Sequence, residues 1–365
     1  MVPFKQSNAA YESWLRAQLK GDVVERDLRK KRKRMKEDPF PFLRATYWRW
    51  AETILDVCPE LANAPQVLAV GDIHLENFGT WRDADGRLVW GVNDFDEAAE
   101  MPYSIDLVRL VTSALLARPL RGLAGKNICA AILEGYRRGL SDPRPLVLDE
   151  KRAWLRRLVV VPEEDRADFW KDIDKLKPDK DREGMAARYR KAIVSAMPDR
   201  RNEITKFCPR SAGTGSLGRP RWVGLAHWLG GRVVREAKAL VSSGWTRIPG
   251  RGSPRLRCKE IAFGRYRAPD PWYDVANGVV VRRLSPNNRK IEIEKQPGEL
   301  LDPRMLRAMG YELANIHLGT GNRRKAIVRD LSKRKEGWLR QAARSAIRSV
   351  KRDYQQWSGR KAAAT

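Results

Sequence analysis

The densest chemistry in the chain lies between residues 71 and 97. Gly71-Asp72-Ile73-His74-Leu75-Glu76-Asn77-Phe78 is followed, after a turn, by Gly91-Val92-Asn93-Asp94-Phe95-Asp96-Glu97. Two short apolar runs thus carry a carboxylate, an amide five residues later and a second acidic cluster. That inventory suits a site that holds Mg²⁺ on a nucleotide phosphate and orients a hydroxyl nucleophile. Asp72 can accept the substrate proton, Asn77 can ligate a metal, and Asp94 can bridge the metal to the phosphates. Asp96, with Glu97 and Glu100, either adds charge to the metal site or offsets the basic surface. The expected catalytic residues are Asp72, Asn77 and Asp94, and the expected metal donors are Asn77, Asp94 and Asp96.

Gly71-Asp72-Ile73-His74 also resembles the D-x-H opening of the calcineurin-like metallophosphoesterases. Their two-metal sites draw on several further histidines in GNH and GHxH patterns. This chain has three histidines, His74, His227 and His317, and neither pattern occurs. A donor set of Asp and Asn suits Mg²⁺ better than zinc or iron. His74 reads as a hydrogen-bonding member of its loop, and His317 as a structural histidine.

Gly213-Thr214-Gly215-Ser216-Leu217-Gly218 fits G-x-G-x-x-G, a pattern shared by dinucleotide fingerprints, kinase phosphate loops and ordinary turns. A dinucleotide fingerprint must open a helix, whereas Pro220 and the alternating run after it predict a strand. A glycine loop between two strands is the kinase arrangement, with Gly213, Gly215, Ser216 and Gly218 over the phosphates. A structural hairpin is the plainer alternative. A phosphate-pairing cation should follow on the next strand, where Arg235 and Lys238 both stand. Their odd spacing places them on opposite faces, so only one can face a nucleotide. Arg offers a fixed fork and Lys a point charge, and spacing does not choose between them.

The elements around these motifs follow from pattern. The first 25 residues read helical and lead into the basic run Arg29-Lys30-Lys31-Arg32-Lys33-Arg34, expected to be a solvated face or arm. The prolines of Asp38-Pro39-Phe40-Pro41-Phe42 are expected to stop that helix, with helix resuming over 43–57. Gln66–Val70 is a strand delivering Gly71 and Asp72, and Arg82–Arg87 is a turn before the strand Leu88–Val92. Asp106 is expected to cap a helix, with helices continuing to about residue 200. From about 206 the texture becomes β-rich, with Arg221–Trp228 turning at Gly230-Gly231 and a further strand over Val279–Leu284. Helix resumes at Asp302-Pro303 and ends at Gly319. A last helix over 334–357 has Leu339, Ala343, Ile347, Val350, Tyr354 and Trp357 on one side. Arg340, Arg344, Arg348 and Lys351 lie on the other, a face that binds an acidic surface or stays wet while the apolar stripe packs. The only low-complexity tract besides the basic runs is Ala362-Ala363-Ala364.

Composition sets the frame. With 365 residues, 42% hydrophobic and 13 Trp, the chain has ample core. It has no apolar run of the roughly 20 residues that span a bilayer and no signal-peptide pattern. Cys58, Cys129, Cys208 and Cys258 form no C-x-x-C pair, so a reducing, cytoplasmic location is expected. A net charge of +27 attracts polyanions generally: nucleic acid, an anionic surface, nucleotides or phosphorylated substrates.

The first cluster, Gly-Asp-x-His-Leu-x-Asn-Phe-Gly followed by Asn-Asp-Phe-Asp-Glu, resembles the signature of the bacterial family known as domain of unknown function 2252. Met35 to Arg44, Asp106 to Leu110, Gly213 to Gly218 with Arg235-Glu236-Ala237, and Gly310 to His317 resemble other segments of that family. The likeness spans about 35 to 320. The family is itself similar to protein-kinase-like phosphotransferases of the aminoglycoside and choline kinase branch. That resemblance implies Asp72 as catalytic base, Asn77 and Asp94 as metal ligands and Asp106 as a brace for the loop. Two departures stand out. The family strand usually carries Lys where this chain has Arg235. Kinases also place the glycine loop before the catalytic loop, and here it comes after. Either the lobes are permuted in sequence order, or the likeness ends with the first half.

The expectation is therefore an α+β, two-lobed, protein-kinase-like fold with permuted lobes. A basic N-terminal helical arm occupies 1–34, a mostly helical lobe with the catalytic loop 35–205, a β-rich nucleotide-covering lobe 206–300, and returning helices 301–365. The expected activity is ATP- and Mg²⁺-dependent phosphoryl transfer to an unidentified small-molecule or protein hydroxyl. The alternatives are a catalytically idle fold that binds nucleic acid or another polyanion through its basic helices, and nucleotidyl transfer of AMP from the same metal site.

Overall fold

The structure, a computed structural model, describes residues 1–117, 125–178, 187–199, 201, 203–294 and 296–359. The Ala362-Ala363-Ala364 tract lies outside them. Four helices come first: α1 (Phe4–Leu19), α2 (Glu25–Arg34), α3 (Pro39–Ala45) and α4 (Tyr47–Val57). They are followed by β1 (Gln66–Ala69), β2 (Phe78–Arg82), β3 (Leu88–Val92) and β4 (Ala99–Pro102). Next come α5 (Tyr103–Leu116), α6 (Gly125–Ser141), β5 (Leu146–Val147), α7 (Ala153–Val159), α8 (Glu163–Asp174) and α9 (Ala187–Ser195). The strands β6 (Ile204–Pro209), β7 (Arg221–Trp228) and β8 (Gly231–Ala239) lead to α10 (Cys258–Ala262), β9 (Asp274–Ala276) and β10 (Val279–Leu284). The final helices are α11 (Pro297–Leu300), α12 (Pro303–Gly319), α13 (Arg324–Lys333) and α14 (Trp338–Ser358).

The strands form three antiparallel sheets, β1–β4, β2–β3–β5 and β6–β7–β8–β10–β9. The chain is thus a mixed α+β protein, as its patterning predicts. The β7–β8 hairpin turns through Leu229 and Gly230, with φ of 45° and 79°. Two left-handed residues match the right-handed strand twist, and they fall one position before the expected pair. Helix α9 packs on β7, β8 and β10, so it belongs to the large sheet rather than to the helices before it. Ile173, Val223, Leu225 and Val234 form a small cluster between α8 and that sheet, while a larger core runs through the rest.

Helix α5 is buried from Tyr103 to Ala114 and lies between β1, α6 and α14. Helices α6 and α12 cross so closely that a Cβ on Gly310 would stand 2.1 Å from the Ile132 carbonyl. The apolar stripe of α14 packs against α1, α3, α4 and α5, leaving Arg344, Arg348 and Lys351 exposed. That is the wet basic face allowed for such a helix.

Two expectations about the first residues need correction. The segment 1–34 is docked, not a free arm: Phe4, Tyr11, Leu15, Leu19, Leu28 and Lys31 are all buried. Pro39 starts a helix instead of only ending one. Asp38 accepts a hydrogen bond from Phe40 N, and proline in the first turn loses no helical bond because that N–H has no partner in any case. The four cysteines are buried and free. Among the described residues, no helix is long and apolar enough to cross a membrane.

Candidate active site

Strand β1 ends at the loop that carries Asp72. Gly71 adopts φ +77°, and a Cβ there would stand 2.5 Å from Glu97 O and 2.6 Å from the Tyr47 hydroxyl. Only glycine fits on either count. The loop backbone is held from beneath by Asp106, which accepts from Val70 N (2.8 Å) and Gly71 N (3.0 Å). Asp106 therefore braces the loop and does not cap α5, which starts at Tyr103 without a side-chain cap. His317 Nε2 meets the same carboxylate at 3.1 Å, and its Nδ1 meets the Tyr136 hydroxyl at 2.8 Å. His317 is thus the structural histidine its position suggests. Ser113 Oγ accepts from Leu75 N at 3.0 Å.

Arg109, on the same helix, is fully buried between the rings of Tyr47 and Trp50. Its guanidinium donates to Asp72 Oδ1 at 2.5 Å and to Leu43 O at 2.9 Å. Burial pushes the Asp72 carboxyl up to about 6, with Arg109 opposing the rise and Glu97 adding to it. Asn77 is 3% exposed, and its Nδ2 donates to Asp72 O and Asp94 O, each at 3.1 Å. Those two bonds fix the amide's orientation and leave Asn77 Oδ1 buried with no hydrogen-bond partner. His74 Nδ1 accepts from Glu76 N at 3.2 Å, and burial keeps the ring neutral.

Beyond β3 the two aspartates part ways. Asp96 is 9% exposed and engaged by Lys238 (2.6 Å) and Arg219 (3.2 Å). Asp94 is 41% exposed, with Lys238 at 3.4 Å. Burial alone would raise the Asp94 carboxyl, but Lys238 and Arg282 hold it well below the usual carboxylate range. Burial and the charge of Asp94 raise Asp96. Of the two, Asp94 is the carboxylate open to a further cation.

The glycine loop spans the gap between β6 and β7 and closes over Asp72. A Cβ on Gly215 would stand 3.1 Å from both Asp72 Oδ2 and Arg44 O. Helix α2 holds the loop from outside: Lys31 Nζ donates to Gly215 O (2.8 Å) and Arg34 to Thr214 Oγ1 (2.9 Å). Val24 N donates to Gly218 O (3.0 Å) and Ser211 Oγ to Asp27 (2.7 Å). Ser216 Oγ accepts from Arg221 at 2.9 Å.

The result is an open cleft of about 630 Å³ lined by Asp72, Asn77, Asp94, Asp96, Gly213, Gly215 and Ser216. Gly218 stands apart from it, packed against Leu28. Arg235 is turned to the opposite face of β8, stacked 4.4 Å from the Trp272 ring and donating to Ala196 O at 2.7 Å. Of the two cations left open by spacing, Lys238 is the one that reaches Asp94 and Asp96, from a small neighbouring cavity behind them. A second cavity of about 1060 Å³ adjoins it, with Trp81, Phe95, Phe169 and Tyr273 in its walls and Lys290 common to both.

Several residues of the cleft escape a reading of motifs: Lys31, Arg44, Arg219 and Lys290 line it, and Arg109 supports it from behind. Arg109 had a signal. Asp106, Arg109 and Ser113 repeat at helical spacing in an otherwise apolar helix, and all three reach the Asp72 loop.

A family model described as an uncharacterized protein conserved in bacteria, DUF2252, matches residues 23–205, half of the chain. The chain belongs to that family. The matched segment contains α2, the Asp72 loop, Asp94 and α5 but ends before the glycine loop. No curated protein and no solved structure matches this DUF2252 chain.

Proposed function

We propose that this DUF2252 protein is an ATP- and Mg²⁺-dependent phosphotransferase acting on a hydroxyl acceptor. The observation that carries the reading is convergence. The glycine loop, remote in sequence, lies directly on Asp72, and Lys238 of the sheet's third strand points at Asp94 and Asp96. Kinases place their phosphate-pairing lysine on the third strand of the lobe, the second after the glycine loop. The reversed order along this chain is compatible with permuted lobes, since permutation preserves spatial neighbours.

In this reading Asn77 Oδ1 and Asp94 hold Mg²⁺. Both offer hard oxygen donors, and Asn77 Oδ1 has no protein partner. Among the described residues, no group of three or more His, Cys, Asp or Glu could hold a metal ion alone. The donor set therefore needs the Asn77 amide and the nucleotide phosphates, as Mg²⁺ sites on nucleotides commonly do. The bound ion would supply charge neutralisation on the phosphates. Asp96 keeps Lys238 in place, the glycine loop covers the phosphates, and the aromatic cavity gives room for a nucleobase. Asp72 orients the acceptor hydroxyl and takes its proton. With a pKa near 6 it is ionised at neutral pH yet more basic than an ordinary aspartate. Most of the rate would come from positioning and charge.

The test is the melting temperature with Mg-ATP for wild type and Asp94→Ala. Ligand at about 100 times its dissociation constant adds roughly 2.7 kcal/mol of stability. A metal-dependent shift that disappears in Asp94→Ala is the expected result. Absence of any shift in wild type, with Mg²⁺ or Mn²⁺, would sink the reading. The mass gained by the acceptor then separates phosphoryl from nucleotidyl transfer.

A further inference from the structure

The cations in and behind the cleft fall into two sets. Lys238, Arg219 and Arg109 each rest on a carboxylate of the cleft: Asp96 at 2.6 Å, Glu97 at 2.6 Å and Asp72 at 2.5 Å. Arg44 and Lys290 do not. Arg44 places one arm on Glu76 at 2.5 Å, outside that acidic group. The Lys290 ammonium takes part in no ion pair or side-chain hydrogen bond among the described residues. Lys31 differs from both, since its ammonium is engaged by Gly215 O.

Arg44 and Lys290 also act on the same neighbours. After burial itself, they are the two leading causes of the depressed His74 imidazole. Lys290 is an exposed residue by surface area, but its ammonium sits within the cleft, where partial loss of solvent and then Arg44 lower it to about 8. Glu76 offsets part of this crowding, by pairing with Arg44 and by acting at longer range on Lys290. One carboxylate shared by two cations leaves net positive charge that an arriving anion would neutralise. A guanidinium fork beside a mobile ammonium suits a tetrahedral oxyanion.

The nucleotide has its own partners under the phosphotransferase reading: Lys238, the glycine loop and the ion at Asn77 and Asp94. Arg44 and Lys290 instead flank His74 and Glu76, the residues that follow Asp72 on its loop. We propose that Arg44 and Lys290 form a receptor for a phosphate-type oxyanion carried by the acceptor substrate. The hydroxyl presented to Asp72 then belongs to a molecule that is already anionic. Calling the ligand the acceptor rests on the phosphotransferase reading, whereas the oxyanion receptor stands on its own geometry.

The experiment is a calorimetric titration with inorganic phosphate on the full chain. Wild type, Lys290→Met, Lys290→Arg and Arg44→Gln are compared, first alone and then saturated with Mg²⁺ and a non-hydrolysable ATP analogue. Matching melting curves establish that each variant is folded. The expected result is phosphate binding to both forms of wild type, weakened at least tenfold by Lys290→Met and by Arg44→Gln. Lys290→Arg restores most of it, and affinity for the analogue stays within twofold. Failure of wild type to bind phosphate in either form overturns the receptor. Phosphate binding that vanishes once the analogue is bound, with analogue affinity also falling tenfold in Lys290→Met, overturns the acceptor assignment and gives the pair to the nucleotide. If wild type binds no analogue but binds phosphate through Lys290, the phosphotransferase reading falls and the receptor remains.

Discussion

The two walls of the cleft are built by different means. The Asp72 wall rests on groups that water does not reach: Asp106, Arg109 and His317 are all within 1% of full burial. Their polar atoms have few other places to go, so the loop is fixed before any ligand arrives. The glycine-loop wall hangs from α2, a ten-residue helix whose buried side chains are only Asp27, Leu28 and Lys31. Hydrogen bonds from one surface helix are exchanged for water far more readily than a buried network. Asp72 is thus anchored to the rigid wall, and the covering loop, which lies on it, is the wall able to yield; under the proposed function it yields to an entering nucleotide.

Four substitutions test this contrast. Asp72→Asn removes the base from the fixed wall and should lower transfer by roughly 10²–10⁴-fold, measured as phosphate transferred to the acceptor. The wild-type rate should climb as pH rises through about 6, when Asp72 loses its proton, and the variant should lack that limb. The same raised value means that the native state holds this proton more tightly than the unfolded chain does. The group's contribution to stability therefore falls as pH rises from the ordinary aspartate value to about 6.

Asp106→Ala strips the brace and leaves two buried N–H groups and His317 without their acceptor. A loss of about 3 kcal/mol or more in urea unfolding is expected. A loss below about 1 kcal/mol would mean that the two walls do not differ in the way described. Gly215→Ala sets a methyl 3.1 Å from Asp72 Oδ2. It should cost about 1 kcal/mol of stability while weakening nucleotide binding, read by titration of the ATP analogue. Lys31→Met should have the smallest effect on stability, about 0.5 kcal/mol. Its signature is faster amide exchange over residues 213–216 with no change over 70–77, and equal acceleration in both would erase the contrast.

Much of this architecture was legible in the chain. Alternation located β7, β8 and β10, and polar residues inside apolar runs marked Asp72, Asn77 and Asp94. Parity separated Arg235 from Lys238 but could not say which face of β8 looks inward, since that depends on what packs on each side. Here α9 and Trp272 occupy the Arg235 side. The basic run of α2 reads as solvated because composition does not reveal that Lys31 and Arg34 turn onto the glycine loop. Arg44 and Lys290 come to one cleft only through the tertiary fold, from segments with no shared motif. Asp106 shows how a local rule loses to tertiary demand. A carboxylate near a helix start usually caps it, but two unpaired N–H groups of the Asp72 loop lie within its reach.

Helix α14 closes onto the other end of the fold. Trp357 packs 5.6 Å from Phe4 and donates to Arg32 O, and the Tyr354 hydroxyl donates to Lys36 O. The helix that steadies the glycine loop is thus itself seated on side chains more than 300 residues later in the chain. A ribosome adding about 5–20 residues per second leaves α2 waiting tens of seconds for that seat. During this interval the nascent chain carries an exposed aromatic surface around Phe4, Phe42 and Trp48. Completion of the cleft's covering wall therefore waits for α14, whose Tyr354 and Trp357 supply the seat.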